Sequence, residues 1–349
     1  MPDRHRLSGQ DDELGRCGSR RPAARDRAAA ADRDDHGSRR SLLALALLAL
    51  AACGRPTASA PTPIRERVDA GLEAKLREAV AGFRGTVGVY VRHLPTGRTA
   101  AINADTIFPT ASMIKVPILV GVYDAARRGA LDLHQTLTYR DSLLYAGEDI
   151  IGALRDSARI SLTKVAMLMI TTSDNTGSLW LQHLAGTGTT INEWLAAHGF
   201  EATRVNSRTP GREADRRAFG WGQTTPREMA RLVTMIREGR AVSPAASEEM
   251  YRALTRIYWN GESLSQLPPW VQAASKQGAV DRSRSEVVLV NAPSGDYVFC
   301  VITKNQTDER YDPDNEGYVL LRRVSALLWA HFEPGHPWTP APGAERLKP

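Results

Sequence analysis

The chain has 349 residues, enough for one large domain or two modest ones with a full hydrophobic core. Hydrophobic content of 42% and charged content of 24% are those of an ordinary globular protein. The formal charge of +6 is spread along the chain rather than clustered with aromatics, which excludes a nucleic-acid partner.

Residues 1–37 are rich in Arg, Asp and Ala and carry almost no periodic apolar content. Ser38-Arg39-Arg40-Ser41, the apolar run Leu42 to Ala52 and then Cys53 follow. A basic flank, a short apolar stretch and small residues at its end make a signal peptide, too short to span a bilayer. Leu50-Ala51-Ala52-Cys53 resembles a lipobox, which makes Cys53 the lipidation residue, and the paired arginines resemble a twin-arginine signal. Residues 1–53 are thus expected to be an export segment and 54–64, with Pro56, Pro61 and Pro63, a linker. The expected location is outside the inner membrane, as a periplasmic or cell-envelope lipoprotein touching the membrane only through that anchor.

Residues 65–349 carry the patterns of a folded domain. Val68, Leu72, Leu76 and Val80 predict a helix over 65–83. Strands are expected at Thr86–Val91 and, after the turn Pro95-Thr96-Gly97, at Thr99–Ala104. Residues 111–249 read as helical, broken by a polar loop at 199–225. Strand patterns return at 271–278, 285–291 and 296–303, and a last helix is predicted over 314–332. This is an α/β domain: a five-stranded sheet flanked by helices, with an all-helical subdomain inserted at about 118–262. Of the cysteines, Cys300 lies in the apolar strand Tyr297–Ile302 and reads as a buried small hydrophobe. No disulfide or zinc spacing is present.

Three short motifs carry chemistry. In Ser112-Met113-Ile114-Lys115 a hydroxyl and an amine share a helix face, and a desolvated lysine can take the serine proton. The pattern recurs at Ser161-Leu162-Thr163-Lys164, where Ser161 reads as the N-cap of the helix that follows. Ser173-Asp174-Asn175 ends an apolar helix: Ser173 could relay a proton and Asn175 could bind a substrate amide and the catalytic lysine. Lys276-Gln277-Gly278 lies in a predicted strand, where the lysine offers charge to a carboxylate and the glycine permits close backbone approach.

In this order, and 61 and 103 residues apart, the three motifs resemble the signature of class A β-lactamases and penicillin-binding proteins. The resemblance spans about 65–332 and includes Thr224-Thr225-Pro226-Arg227-Glu228-Met229-Ala230 and Arg282-Ser283-Arg284-Ser285. It implies an antiparallel sheet and a monomeric serine acyl-enzyme hydrolase without metal or cofactor, acting on a β-lactam or a cell-wall peptide. Ser112 would be the nucleophile, Lys115 the base and Ser173 the donor to the leaving nitrogen. The Ser112 and Ala279 amides would form the oxyanion hole, and Asn175, Lys276, Gln277, Gly278 and Arg284 would position substrate, Arg284 as the carboxylate-binding arginine. Two departures stand out. Gln277 replaces the usual Thr or Ser, and no carboxylate occurs at Arg208-Thr209-Pro210, where the family carries its deacylation glutamate. Glu213 and Asp215 lie a few residues on and read first as loop carboxylates paired with Arg212, Arg216 or Arg217, with Glu213 as the candidate substitute base. A slow β-lactamase, a D-alanyl-D-alanine carboxypeptidase and a non-turnover β-lactam sensor therefore all remain open.

Overall fold

A computed structural model describes residues 64–145 and 149–347. The export segment, Cys53 and all of the linker but Ile64 lie outside the described residues. The main sheet has five long strands: β1 (Thr86–His93), β2 (Arg98–Ile102), β3 (Ala273–Val280), β4 (Ser283–Val290) and β5 (Tyr297–Lys304). They run antiparallel in the spatial order β2-β1-β5-β4-β3, so β3 is a free edge. The two-residue strand Arg67–Val68 adds a parallel sixth strand beside β2. It replaces the start of the helix expected from residue 65. Helix α1 begins instead at Ala70 and ends at Val80, because Asp69 caps it by accepting from the Leu72 N–H at 2.9 Å.

Both faces of the sheet are covered, so its strands read as continuous apolar runs rather than alternating ones. Val288, Val290, Phe299 and Val301 meet Leu72 and Leu76 of α1 and Leu321, Val324, Leu328 and Trp329 of the C-terminal helix, Glu316–Phe332. Val287, Leu289, Val298 and Cys300 face the other way, into the helical subdomain. That subdomain lies between β2 and β3 in the chain. Its centre is α2 (Lys115–Arg127), buried on nearly every side and packed against α3 (Leu162–Thr171), α4 (Asn175–Leu184), α5 (Thr187–Ala197) and α8 (Pro244–Leu254), while α7 (Pro226–Arg237) packs on the sheet and on α8. The loop expected at 199–225 contains a further short helix, α6 (Glu213–Phe219), and a three-stranded ribbon pairs 204–205, 222–224 and 108–109.

Candidate active site

Ser112 sits in a single 3-10 turn, Ala111–Ile114, that runs directly into α2. Ala111 adopts φ 45°, a left-handed conformation that costs a non-glycine residue about 1–3 kcal/mol and here turns Ser112 out of the core. Edge strand β3 rests on this turn. A Cβ at Gly278 would stand 2.7 Å from Thr110 O and 2.8 Å from Ser112 N, so only glycine allows the approach.

Ser173 is the second strained residue, with φ 63° just past the end of α3. A strap from the later chain pins this turn: the Tyr258 N–H donates to Thr171 O at 2.9 Å and Trp259 Nε1 to Thr172 O at 2.8 Å. Asp174 then starts α4, accepting from Gly177 N at 2.7 Å and from Ile151 N at 2.8 Å, and so fixes Asn175 in the first turn.

These elements converge on the fully buried Lys115. Its Nζ lies 2.9 Å from Ser112 Oγ, 3.1 Å from Ser173 Oγ, 2.7 Å from Ser173 O and 2.7 Å from Asn175 Oδ1. The Ser173 carbonyl and the Asn175 Oδ1 can only accept, so they claim two N–H bonds. A neutral amine then has a lone pair left for a hydroxyl proton, which is the arrangement a base needs. Burial pulls the Lys115 amine down to about 7, against the opposing fields of Asp149 and Asp174. The second buried lysine, Lys276, donates to Ser173 Oγ at 3.1 Å and to Gln277 Oε1 at 2.7 Å. Its amine is also lowered, by burial first and then by the Lys115 charge. Ser173 Oγ thus bridges two amines.

A cleft opens on either side of Ser112. One lobe, about 630 Å³, is walled by Tyr145, Phe219, Trp221, Val280, Arg282 and Lys304. The other, about 550 Å³, holds Ser173 and Gln277 and is walled by Trp259, Tyr311, Tyr318, Glu262 and Arg322. Ser112, Asn175 and Ala279 border both.

Ser112, Lys115, Ser173, Asn175, Lys276, Gln277, Gly278 and Ala279 therefore meet in one place, and three expectations do not hold in the same way. Arg284 walls neither lobe. Its guanidinium is buried, donates to the carbonyls of Val280, Ser283 and Arg310, and stacks on Tyr311 and Tyr318 at 4.5 and 4.7 Å. Glu213 is exposed at the start of α6, where its Oε1 accepts from Gly211 N at 3.1 Å, and it also walls neither lobe. Ser161 does occupy the N-cap position of α3, but its side chain makes no capping bond. Thr209, at the place expected for a deacylating glutamate, turns inward against Gly188 and donates to Ser207 O at 2.9 Å.

The residues missed in sequence are Tyr145, Trp221, Glu262, Arg282 and Arg322, which line the lobes from separate elements and share no local pattern. Another is Asp149, which borders the second lobe and through Oδ2 accepts from Thr176 N at 2.6 Å and from Thr176 Oγ1 at 2.9 Å. Among the described residues, no group of three or more His, Cys, Asp or Glu side chains is placed to hold a metal ion.

A family model described as the beta-lactamase enzyme family matches residues 71–332. A Streptomyces fradiae β-lactamase is 27% identical over 307 residues, covering 83% of this chain and 95% of that protein. A Bacillus licheniformis β-lactamase is 25% identical over 281 residues, covering 78% and 89%. The solved structure of PBP-A superposes with a TM-score of 0.70 at 28% identity, covering 78% of this chain and 100% of that one. A point mutant of PBP-A, similar at a TM-score of 0.69, is an acyl-enzyme complex with penicillin G.

Proposed function

This chain belongs to the β-lactamase enzyme family, and from that premise we propose that it is a serine acyl-enzyme hydrolase of class A type that opens β-lactam amides through Ser112. The observation that carries the reading is the contact of a buried, lowered lysine with two hydroxyls, Ser112 Oγ and Ser173 Oγ. Ser112 Oγ attacks the amide carbonyl carbon while its proton passes to Lys115 Nζ. The Ser112 and Ala279 amides stabilise the oxyanion, at about 3 kcal/mol per donor. As the C–N bond breaks, Ser173 gives its proton to the leaving nitrogen and recovers one from Lys115. The leaving side of the substrate then lies in the Ser173 lobe, with its carboxylate beside Lys276 and Gln277. Hydrolysis of the ester is expected to be slow, because neither Thr209 nor Glu213 presents a carboxylate to the acyl group. A positioned base is worth about two to four powers of ten.

That same feature favours a second reading, a penicillin-binding protein that keeps the ester. Incubation with a chromogenic β-lactam and a fluorescent penicillin, beside Ser112→Ala, separates the two. Turnover lost in the variant supports the hydrolase, a stable label without turnover supports the penicillin-binding protein, and if neither is seen the substrate class is overturned. For the N-terminal segment we propose export and lipidation at Cys53. Mass spectrometry of the membrane fraction tests this, and an unmodified soluble N-terminus beyond Cys53 overturns it.

A further inference from the structure

On the leaving side of the substrate the resemblance assigns a carboxylate to two cations, Lys276 and Arg284, and the fold already occupies both. Arg284 gives its guanidinium to three backbone carbonyls and two tyrosine rings and walls neither lobe. Lys276 is fully buried and also walls neither lobe. Its Nζ donates to Ser173 Oγ at 3.1 Å, to Gln277 O at 3.1 Å and to Gln277 Oε1 at 2.7 Å, which accounts for the three N–H bonds of an ammonium. Gln277 is half-buried and walls the Ser173 lobe, so it, rather than Lys276, meets a ligand there. The rest of the wall also disfavours an anion. Among its described residues, the carboxyl groups of Asp149, Glu262 and Glu345 are set against one guanidinium, that of Arg322, which itself donates to Pro313 O at 2.5 Å.

Gln277 Oε1 therefore holds the N–H that a substrate carboxylate would take. With that oxygen turned to Lys276, the Nε2 end of the amide is left to the ligand, and it can only donate. We propose that Gln277 stands in for the substrate carboxylate at Lys276, so that the site selects acyl compounds whose leaving side carries a neutral carbonyl, an amide or an ester, received by Gln277 Nε2. The inference rests on the β-lactam reading of the site. A free carboxylate beside Lys276 and Gln277 reaches the ammonium only after Oε1 swings out, and it then lies in a lobe with more carboxyl groups than guanidinium. Like charges brought together in this way oppose binding. A neutral carbonyl displaces nothing and keeps the bond between Lys276 and Gln277. For a peptide, the same preference favours a bond with residues on both sides over the last bond of a chain, which carries the free carboxylate.

The test is the acylation rate constant of the full chain with benzylpenicillin and with its methyl ester, each divided by that compound's rate of alkaline hydrolysis, in the wild type and in Gln277→Ala. In the wild type the ester should acylate Ser112 at least as fast as the acid. Gln277→Ala returns one Lys276 N–H to the acid and takes the Nε2 donor from the ester. The ratio of acid to ester rates should therefore rise by about tenfold or more, the usual effect of one hydrogen bond to a charged group. A wild type that prefers the acid overturns the proposal, as does a ratio that Gln277→Ala leaves unchanged or lowers. If the variant does not fold, the comparison of acid with ester in the wild type decides alone. Absence of any Ser112 acylation by either compound overturns the parent reading, and this one with it.

Discussion

Gly278 sets how closely the edge of the sheet approaches the nucleophile. A methyl group there would meet two backbone atoms, Thr110 O and Ser112 N, at 2.7 and 2.8 Å, and backbone cannot swing aside as a flexible side chain can. In Gly278→Ala, β3 must move outward and take the Ala279 amide with it, so the two oxyanion donors no longer point at one oxygen. The acylation rate is expected to fall by about 10²–10³, the usual effect of losing one donor. Overpacking adds a stability loss of about 1–3 kcal/mol. Stopped-flow acylation with circular dichroism reads both. A variant that acylates at the wild-type rate would show that the amides of 112 and 279 do not act together.

At the scale of elements, the short turn between α3 and α4 organises the site, and Asp174 organises the turn. Its carboxylate takes the Gly177 and Ile151 N–H groups, both buried, so it closes one helix end and ties down a neighbouring segment at once. Asp174→Ala leaves both donors unsatisfied and is expected to cost about 2–4 kcal/mol by denaturant unfolding, a cap plus an unmade buried bond. Ser173 and Asn175 flank it, so acylation should fall as well. A loss below about 0.5 kcal/mol would place the ordering of this turn elsewhere, for instance in the Tyr258–Trp259 strap. These elements also mark how far the sequence could be read. The motifs at Ser112, Ser173 and Lys276 are legible because each puts its reactive groups within a few residues, and the long strands and helices because burial on one or both faces leaves an apolar period. Arg284 was misplaced for a physical reason: sequence gives its position on β4 but not the three carbonyls and two tyrosine rings that claim its guanidinium. Glu262 and Arg322 were invisible because a cleft wall is assembled from chain segments tens of residues apart, and α6 was hidden by a polar composition that a loop shares.

At the scale of the whole molecule, the cost of the site is carried by a fold whose sheet is buried on both faces, and that cost depends on pH. Lys115 titrates near 10.4 in an unfolded chain and at about 7 in the folded one. Below pH 7 both states hold the proton, so the folded protein bears the full cost of a buried charge. Between about 7 and 10.4 only the unfolded state binds the proton, and the stability of the folded state rises with pH. Above that range neither state is protonated and the cost is gone. One group in this situation contributes about 2 kcal/mol between pH 7 and pH 9, and Lys276, lowered for the same reason, adds in the same direction. The raised hydroxyls of Tyr90 and Tyr297 act oppositely, since a phenol protonated only in the folded state loses stability as pH rises, but that begins above pH 10. Denaturant unfolding at pH 7 and pH 9 should therefore show a wild-type protein that gains stability with alkalinity. In Lys115→Met the gain should shrink by about 2 kcal/mol, whatever the variant's absolute stability. An equal gain in both proteins would mean that Lys115 is charged in the folded state at neutral pH, and would remove it as the base that activates Ser112.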